Sequence, residues 1–261
     1  MNDEERIERI SAIHVAEARR FVAAHHYNKV MPRLTKLCVG GYSHGELVAV
    51  ATFGYGVRPV HTLRGLFPSL SVPEYLEIGR LCVDDRMPRN TESHFMSLAF
   101  RMVKRTFPHV KVIYSWADGI VGKPGYVYQA SNFYYGGFIW TEMYLSDTGT
   151  RVHPRTMQGI STGGRNGKHK TRDFATTTSM GFRKYWGLQF RYALPICHKQ
   201  EWKRIVAESP VEWRRDHYPK DVDCRWQIQV ALGCREECAK PPFVSNRYIR
   251  RLNTAQEVLP L

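Results

Sequence analysis

The sequence predicts a mixed α/β fold of the α+β kind, a central sheet with helices packed on it. Three observations predict it. Segments with helical and strand periodicity alternate over the first 145 residues. One strand segment, Val110 to Trp116, is almost wholly apolar, as strands in the middle of a sheet are. Apolar residues make up 43% of the 261 residues and charged residues 24%, which is enough to build a core.

The elements follow in order. Residues 14–27 read as a helix, with Val15, Ala18, Phe21 and Val22 at helical spacing. Residues 35–42 and 46–54 form a hairpin around Ser43-His44-Gly45. Residues 75–83 read as a strand with Arg80 near its middle. Asn90-Thr91-Glu92 opens a helix with Asn90 as cap and Glu92 in its first turn, and Pro108 ends it. After the strand at 110–116 come a short helix at 128–133 and strands at 138–145 and 185–196. Residues 146–184, rich in Gly, Ser and Thr, read as a long basic loop. The expected organisation is a domain over 1–198 that includes this loop, and a basic C-terminal extension over 199–261 carrying Trp202, Trp213 and Trp226.

Charge points to a partner. The net charge is +14, and residues 151–261 carry 21 Lys/Arg against 10 Asp/Glu. Such a surplus suits a polyanion, because each neutralised phosphate releases counterions. DNA contacts are expected from the loop, at Arg165, Lys168, Lys170, Arg172, Arg183 and Lys184. No apolar run approaches the roughly 18 residues of a membrane span. The polar, acidic start Met1-Asn2-Asp3-Glu4-Glu5 is unlike a signal peptide, so a cytoplasmic protein is expected. The six cysteines then read as free thiols, and only weak C-x3-C spacing at Cys234 and Cys238 suggests zinc.

Four places carry residue types suited to chemistry. His25-His26-Tyr27 ends the first helix, where a helix C-terminus favours charged His. Arg80 on a strand needs an anion to hold, a substrate group or an acid such as Glu77. Asp118 follows a buried strand and precedes Gly119, at the strand edge where α/β sheets bind ligands. Tyr126 and Tyr128 follow a Gly-rich segment and can stack on a base or donate a proton. P-loop, GxSxG, HExxH, GxGxxG and zinc-deaminase motifs are absent.

Leu76-Glu77-Ile78-Gly79-Arg80-Leu81, Pro88-Arg89-Asn90-Thr91-Glu92-Ser93, Ala117-Asp118-Gly119 and Tyr128-Gln129-Ala130-Ser131-Asn132-Phe133 together resemble the Mom family of phage adenine-modification proteins. His26-Tyr27 also matches, and the resemblance spans roughly residues 14–145. It implies a fold related to the N-acetyltransferase (GNAT) superfamily and transfer of a carbamoylmethyl group to the exocyclic amine of adenine in DNA. The product would shield phage DNA from restriction in the cytoplasm of an infected bacterium. It implies roles for His26, Tyr27, Arg80, Asp118 and Tyr128.

Donor contacts are expected at Arg86, Arg89, Asn90 and Ser115. Where acetyl-CoA enzymes of that superfamily place glycines around the pyrophosphate, this chain has Arg89 and Thr91, whose side chains crowd a phosphate. Acetyl-CoA is thus disfavoured as donor, an aminoacyl-tRNA is conceivable, and the sequence leaves the donor open. The competing readings are an N-acyltransferase for small molecules or proteins, a non-catalytic DNA-binding protein, and a metal-dependent variant using His25, His26 and Asp118.

Overall fold

The computed structural model describes residues 6–152, Met157 and 174–243. In chain order the elements are β1 (Arg9–Ala12), α1 (Val15–His25), β2 (Thr35–Ser43), β3 (Glu46–Gly54), α2 (Pro59–Leu66), β4 (Tyr75–Val83), α3 (Thr91–Thr106), β5 (Val112–Ala117) and α4 (Tyr126–Ala130). They continue with β6 (Tyr134–Ser146), β7 (Arg151–Val152), α5 (Phe174–Ser179), β8 (Phe182–Pro195), α6 (Lys199–Ala207), β9 (Trp226–Ala231) and β10 (Cys234–Cys238). The expected mixed α/β class holds.

The chain forms two compact units. The first comprises Met1–Trp116, Tyr126–Gly137 and Arg191–Tyr218. In it β1, β2, β3 and β4 pair antiparallel in sequence order, and β4 pairs parallel with β5. β8, whose last residues belong here, lies next to β5. α1 buries Ala18, Phe21 and Val22 against Cys38, Val50 and Cys82. Its N-terminus is capped by His14, whose ring accepts from the Ala16 amide at 3.2 Å. α3 buries Phe95, Ala99 and Val103 and packs Phe100 edge-on to Phe53 of β3. Glycine at 41 makes room for α3, since a Cβ there would stand 2.9 Å from the Phe95 ring.

A separate apolar cluster joins α2, β5 and α6. Phe67 lies at its centre, fully buried, stacked on Trp213 at 5.1 Å and edge-on to Tyr114 at 6.1 Å. Trp202 and Ile205 of α6 fill the same cluster. Residues 199–218 therefore supply core to this unit.

The second unit comprises Ala117–Gly125, Phe138–Phe190 and Pro219–Leu261. Its strands are β6, β7, β9, β10 and the first part of β8; β6 pairs with β7, β8 with β9, and β9 with β10, all antiparallel. Ile120, Val121, Met143, Leu145 and Tyr185 form its core, with Trp226 packed against them. The Trp226 indole also donates to the Ile120 carbonyl at 2.8 Å.

Three sequence expectations need correction. Asn90 stands before α3 but adopts a left-handed conformation (φ 71°) and makes no side-chain cap. In that conformation its side chain does not reach the first-turn amides that an extended N-cap serves. The approach is held instead by Thr91, whose hydroxyl donates to the Pro88 carbonyl at 2.7 Å. The stretch 146–184 is not one continuous loop, because β7 and α5 lie within it and β8 begins at Phe182. Their short or threonine-rich sequences lack the periodicity that marks an element. β6 also starts at Tyr134, four residues before the expected strand.

Replacing Phe67 by alanine removes the ring on which Trp213 and Tyr114 pack and is expected to cost about 3–5 kcal/mol. Urea unfolding of the Phe67→Ala variant measures this; a loss below about 1 kcal/mol would mean that the cluster refills the space.

Candidate active site and a basic cleft

β4 and β5 pair over only three positions, Tyr75–Glu77 against Val112–Tyr114. β4 runs on to Val83 and β5 to Ala117, so beyond Glu77 and Tyr114 the two strands part. Gly79 and Arg80 line one side of the opening, and Ser115 and Trp116 the other.

Polar groups gather here. Among the described residues, four buried side-chain atoms lack a hydrogen-bond partner: Thr52 Oγ1, Tyr114 OH, Ser115 Oγ and Arg191 Nε. They come from β3, β5 and β8, the strands around β4 and the opening. Thr52 stands opposite Arg80 in the β3–β4 ladder. Each such atom costs about 1–3 kcal/mol when left unpaired. Buried polar atoms of this kind are explained by a bound water, an ion, a ligand or a catalytic role, which makes the opening the candidate site.

Arg80 organises one side. Its Nε donates to the Asn28 carbonyl at 3.2 Å, and its terminal nitrogens donate to the carbonyls of Gly79 and Val30. His26 joins the same loop, accepting from the Asn28 amide at 2.9 Å, and Tyr27 stacks on the His26 ring at 4.4 Å. His26, Tyr27 and Arg80 thus form one cluster. The sequence led us to expect an anion on Arg80, with Glu77 as the structural alternative. Instead, three of its bonds go to main-chain carbonyls, because a guanidinium fork satisfies a turning loop as well as a carboxylate. Glycine is needed at 79, where a Cβ would meet the Pro32 ring at 2.5 Å and Thr52 Oγ1 at 3.0 Å.

Tyr128 on α4 is buried against Phe133 and Tyr192 at 5.3 Å each. Burial raises its phenol's pKa, the Ser115 hydroxyl facing it pulls the value back, the charge of Glu77 raises it and that of Arg80 lowers it. Tyr128 and Ser115 therefore lie within electrostatic reach of Glu77 and Arg80. Ser115 was expected with the donor turn, but it sits here.

Glu77 is the residue the sequence reading passed over. Its carboxylate makes no hydrogen bond or ion pair among the described residues, and it lies where a Cβ on Gly56 would stand 2.2 Å from Oε2. Burial lifts its pKa to about 7, and Arg80 opposes the rise. A strand Glu beside an Arg reads as an ion pair in sequence, so no signal there marked it as unpaired.

The expected donor turn lies at the start of α3. Arg86 is committed to Asp84, reaching Oδ2 with Nε at 3.1 Å and a terminal nitrogen at 2.9 Å. Arg89 is exposed. Asn90 lines a cavity of about 520 Å³ together with Ser93, His94, Ser97, Ser131 and Asn132.

In the second unit, Asp118 pairs with Arg151 at 3.0 Å. Among the described residues no group of three His, Cys, Asp or Glu side chains is placed to hold a metal ion. The six cysteines are free.

Of the expected DNA contacts, Arg165, Lys168, Lys170 and Arg172 lie outside the described residues. Arg183 is exposed on β8. Lys184 pairs with Glu142 at 2.5 Å and sits 4.6 Å over the Trp186 ring, while Arg235 of β10 sits 4.4 Å over that ring. These residues, with Tyr144 and Gln229, line a cleft of about 350 Å³. Trp186 and Arg235 were not among the expected contacts, since only strand pairing brings them to Lys184.

Comparison with known proteins assigns the family. A model of the Mom protein family matches residues 8–220. The methylcarbamoylase mom of Escherichia phage Mu is 31% identical over 182 residues, covering 70% of this chain and 75% of that protein. Among solved structures, an acetyltransferase of Bacillus subtilis in complex with CoA is 10% identical, covers 72% of this chain and 99% of its own, and has a TM-score of 0.38. An agmatine N-acetyltransferase covers the same shares at 10% identity and a TM-score of 0.39. No described helix is long and apolar enough to cross a membrane. With its family model matched along most of its length and its polar opening carrying Arg80 and Tyr128, the chain belongs to the Mom protein family.

Proposed function

We propose that this chain is a DNA-modifying transferase that adds a carbamoylmethyl group to the exocyclic amine of adenine, shielding phage DNA from restriction in the host cytoplasm. The observation that carries the reading is the 31% identity to the methylcarbamoylase of phage Mu over 70% of the chain. The unpaired polar atoms around β4 and β5 support it, since an extruded purine brings ring nitrogens and an amine that match hydroxyls and a carboxylate. The amine is inaccessible inside a duplex, so the base must leave the stack at a cost of a few kcal/mol. Tyr27 and Tyr128 are proposed to line the path of the base. Arg80 is proposed to fix the loop that carries His26 and Tyr27, and to lend positive charge where negative charge develops in the transfer.

DNA itself is proposed to lie along the basic second unit, against Arg183, Lys184 and Arg235. Lys184 and Arg235 both sit against the Trp186 ring, which holds the two cations together in one cleft where phosphates can be met. The donor is left to chemistry at the α3 cavity. Arg86 is tied to Asp84 there, and Asn90 with its neighbours offers amide and hydroxyl groups. A polar small-molecule or aminoacyl group fits those partners.

Expression of the chain in a bacterium should yield a mass-shifted deoxyadenosine in hydrolysed plasmid DNA, detected by nucleoside mass spectrometry. An unshifted nucleoside pool would reject the reading in favour of a DNA-binding protein or an acyltransferase for other substrates. Arg80→Ala and Asp118→Ala should each abolish the shifted nucleoside while DNA affinity stays within a few-fold. Normal modification by either variant would remove that residue from the machinery. Arg235→Ala should weaken DNA binding about equally for all sequences and lower the slope of log affinity against log salt by about 1; an unchanged slope would place DNA elsewhere.

A further inference from the structure

We propose that Glu77 is the proton acceptor of the transfer: its carboxylate takes the proton that the adenine amine sheds as the new nitrogen–carbon bond forms. The inference rests on the adenine-modification reading and adds a residue and a step to it.

Geometry carries it. Glu77 is the last β4 residue paired with β5, so its side chain stands where the strands begin to part. The carboxylate makes no hydrogen bond or ion pair among the described residues, although Arg80 is only three positions along the same strand. Arg80 donates to the carbonyls of Asn28, Val30 and Gly79. The ionisable groups that act on Glu77, or on which it acts, are Arg80 and Tyr75 on its own strand, Tyr114 on β5 and Tyr128 on α4. Tyr75 is already used, donating to the Tyr55 carbonyl at 2.5 Å. The Tyr114 hydroxyl and Ser115 hydroxyl beside this group are buried and unpartnered. A half-buried carboxylate with nothing bonded to it among the described residues, opposite the unpaired Tyr114 hydroxyl's strand position at a break in the sheet, is arranged for a ligand that brings a donor. Asp118, the other carboxylate singled out in the sequence, is paired with Arg151.

The step balances as follows. The lone pair of the amine nitrogen forms a bond to the electrophilic carbon of the donor, a compound in which that carbon carries a leaving group. The bond from that carbon to the leaving group breaks, and its electron pair departs with the leaving group. The nitrogen then gives one proton to Glu77, leaving a neutral secondary amine and a neutral carboxyl. Glu77 returns the proton to the leaving group or to water before the next turnover. A base that titrates at about 7 suits this task, because it is ionised often enough to accept and basic enough to pull.

The test uses the full chain with Glu77→Gln and Glu77→Asp. In cells, Glu77→Gln should lower the yield of shifted deoxyadenosine by about 10²–10⁴-fold, the range of general-base contributions, and Glu77→Asp should restore part of it. Thermal unfolding separates this from a structural role. The folded state holds the Glu77 proton up to about pH 7, whereas the unfolded chain releases it near 4.5. The wild type should therefore lose stability relative to Glu77→Gln as pH rises through that window, and the variant should be the more stable at pH 8. Near wild-type modification by Glu77→Gln overturns the proposal. So does a Glu77→Gln melting temperature below that of the wild type at pH 8, which would mark a stabilising charge in place of a poised base. A wild type that modifies no adenine would sink the functional reading instead, and the unfolding comparison would still decide whether this carboxylate is held protonated.

Discussion

The first unit depends on a strand pair that stops early. β4 and β5 run parallel and pair at three positions, then separate while each continues as a strand. Continuous pairing would have covered Arg80 and Ser115 with a neighbouring backbone. Separation opens the sheet interior and exposes polar side chains to one another there. Much of what surrounds the opening offsets that disruption. Arg80 reaches out to fix the loop after α1, Gly79 lets Pro32 and Thr52 come close, and the Phe67 cluster packs the stretch of β5 that does pair.

The polar groups at the opening divide by how well they are satisfied. Arg80 has carbonyl partners, and Tyr75 has one. Thr52, Tyr114, Ser115 and Arg191 each keep an unpaired buried atom, and the Glu77 carboxylate makes no hydrogen bond or ion pair among the described residues. Such a set costs folding free energy unless a water, ion or ligand satisfies it. The arrangement is a preorganised one, since the rigid strands hold the hydroxyls in place before any substrate arrives. The second unit works on a different principle. Its half-buried Trp186 has Lys184 and the exposed Arg235 against its ring, a charge-and-ring surface suited to a flexible polyanion.

Much of the fold was legible because its elements are regular. α1, the β2–β3 hairpin, β4 and α3 fall within a residue or two of the positions that periodicity gives, since each buries one face against the sheet. Met157 aside, the described part of 146–184 was less readable. β7 spans two residues, and α5 is Phe-Ala-Thr-Thr-Thr-Ser, a composition that reads as loop. The α2 helix was missed, and the partners of Trp202 and Trp213 were not legible, for a related reason, since short helices and lone aromatic residues take their place from partners distant in sequence.

The sequence by itself determined the residue types of the site, the order of its most regular strands and helices, and the family to which the chain belongs. Arg80, Tyr128 and the His26-Tyr27 pair are readable because each carries an unusual group at a definite place in a regular element. Only the tertiary structure decided which of these groups is free to react. Pairing is a property of space: Arg80 turned to a loop and left Glu77 alone, Asp118 found Arg151, and Arg235 met Lys184 across one indole. A carboxylate's chemistry follows from what lies within about 4 Å of it, and the neighbours at that distance come from strands far apart in the chain.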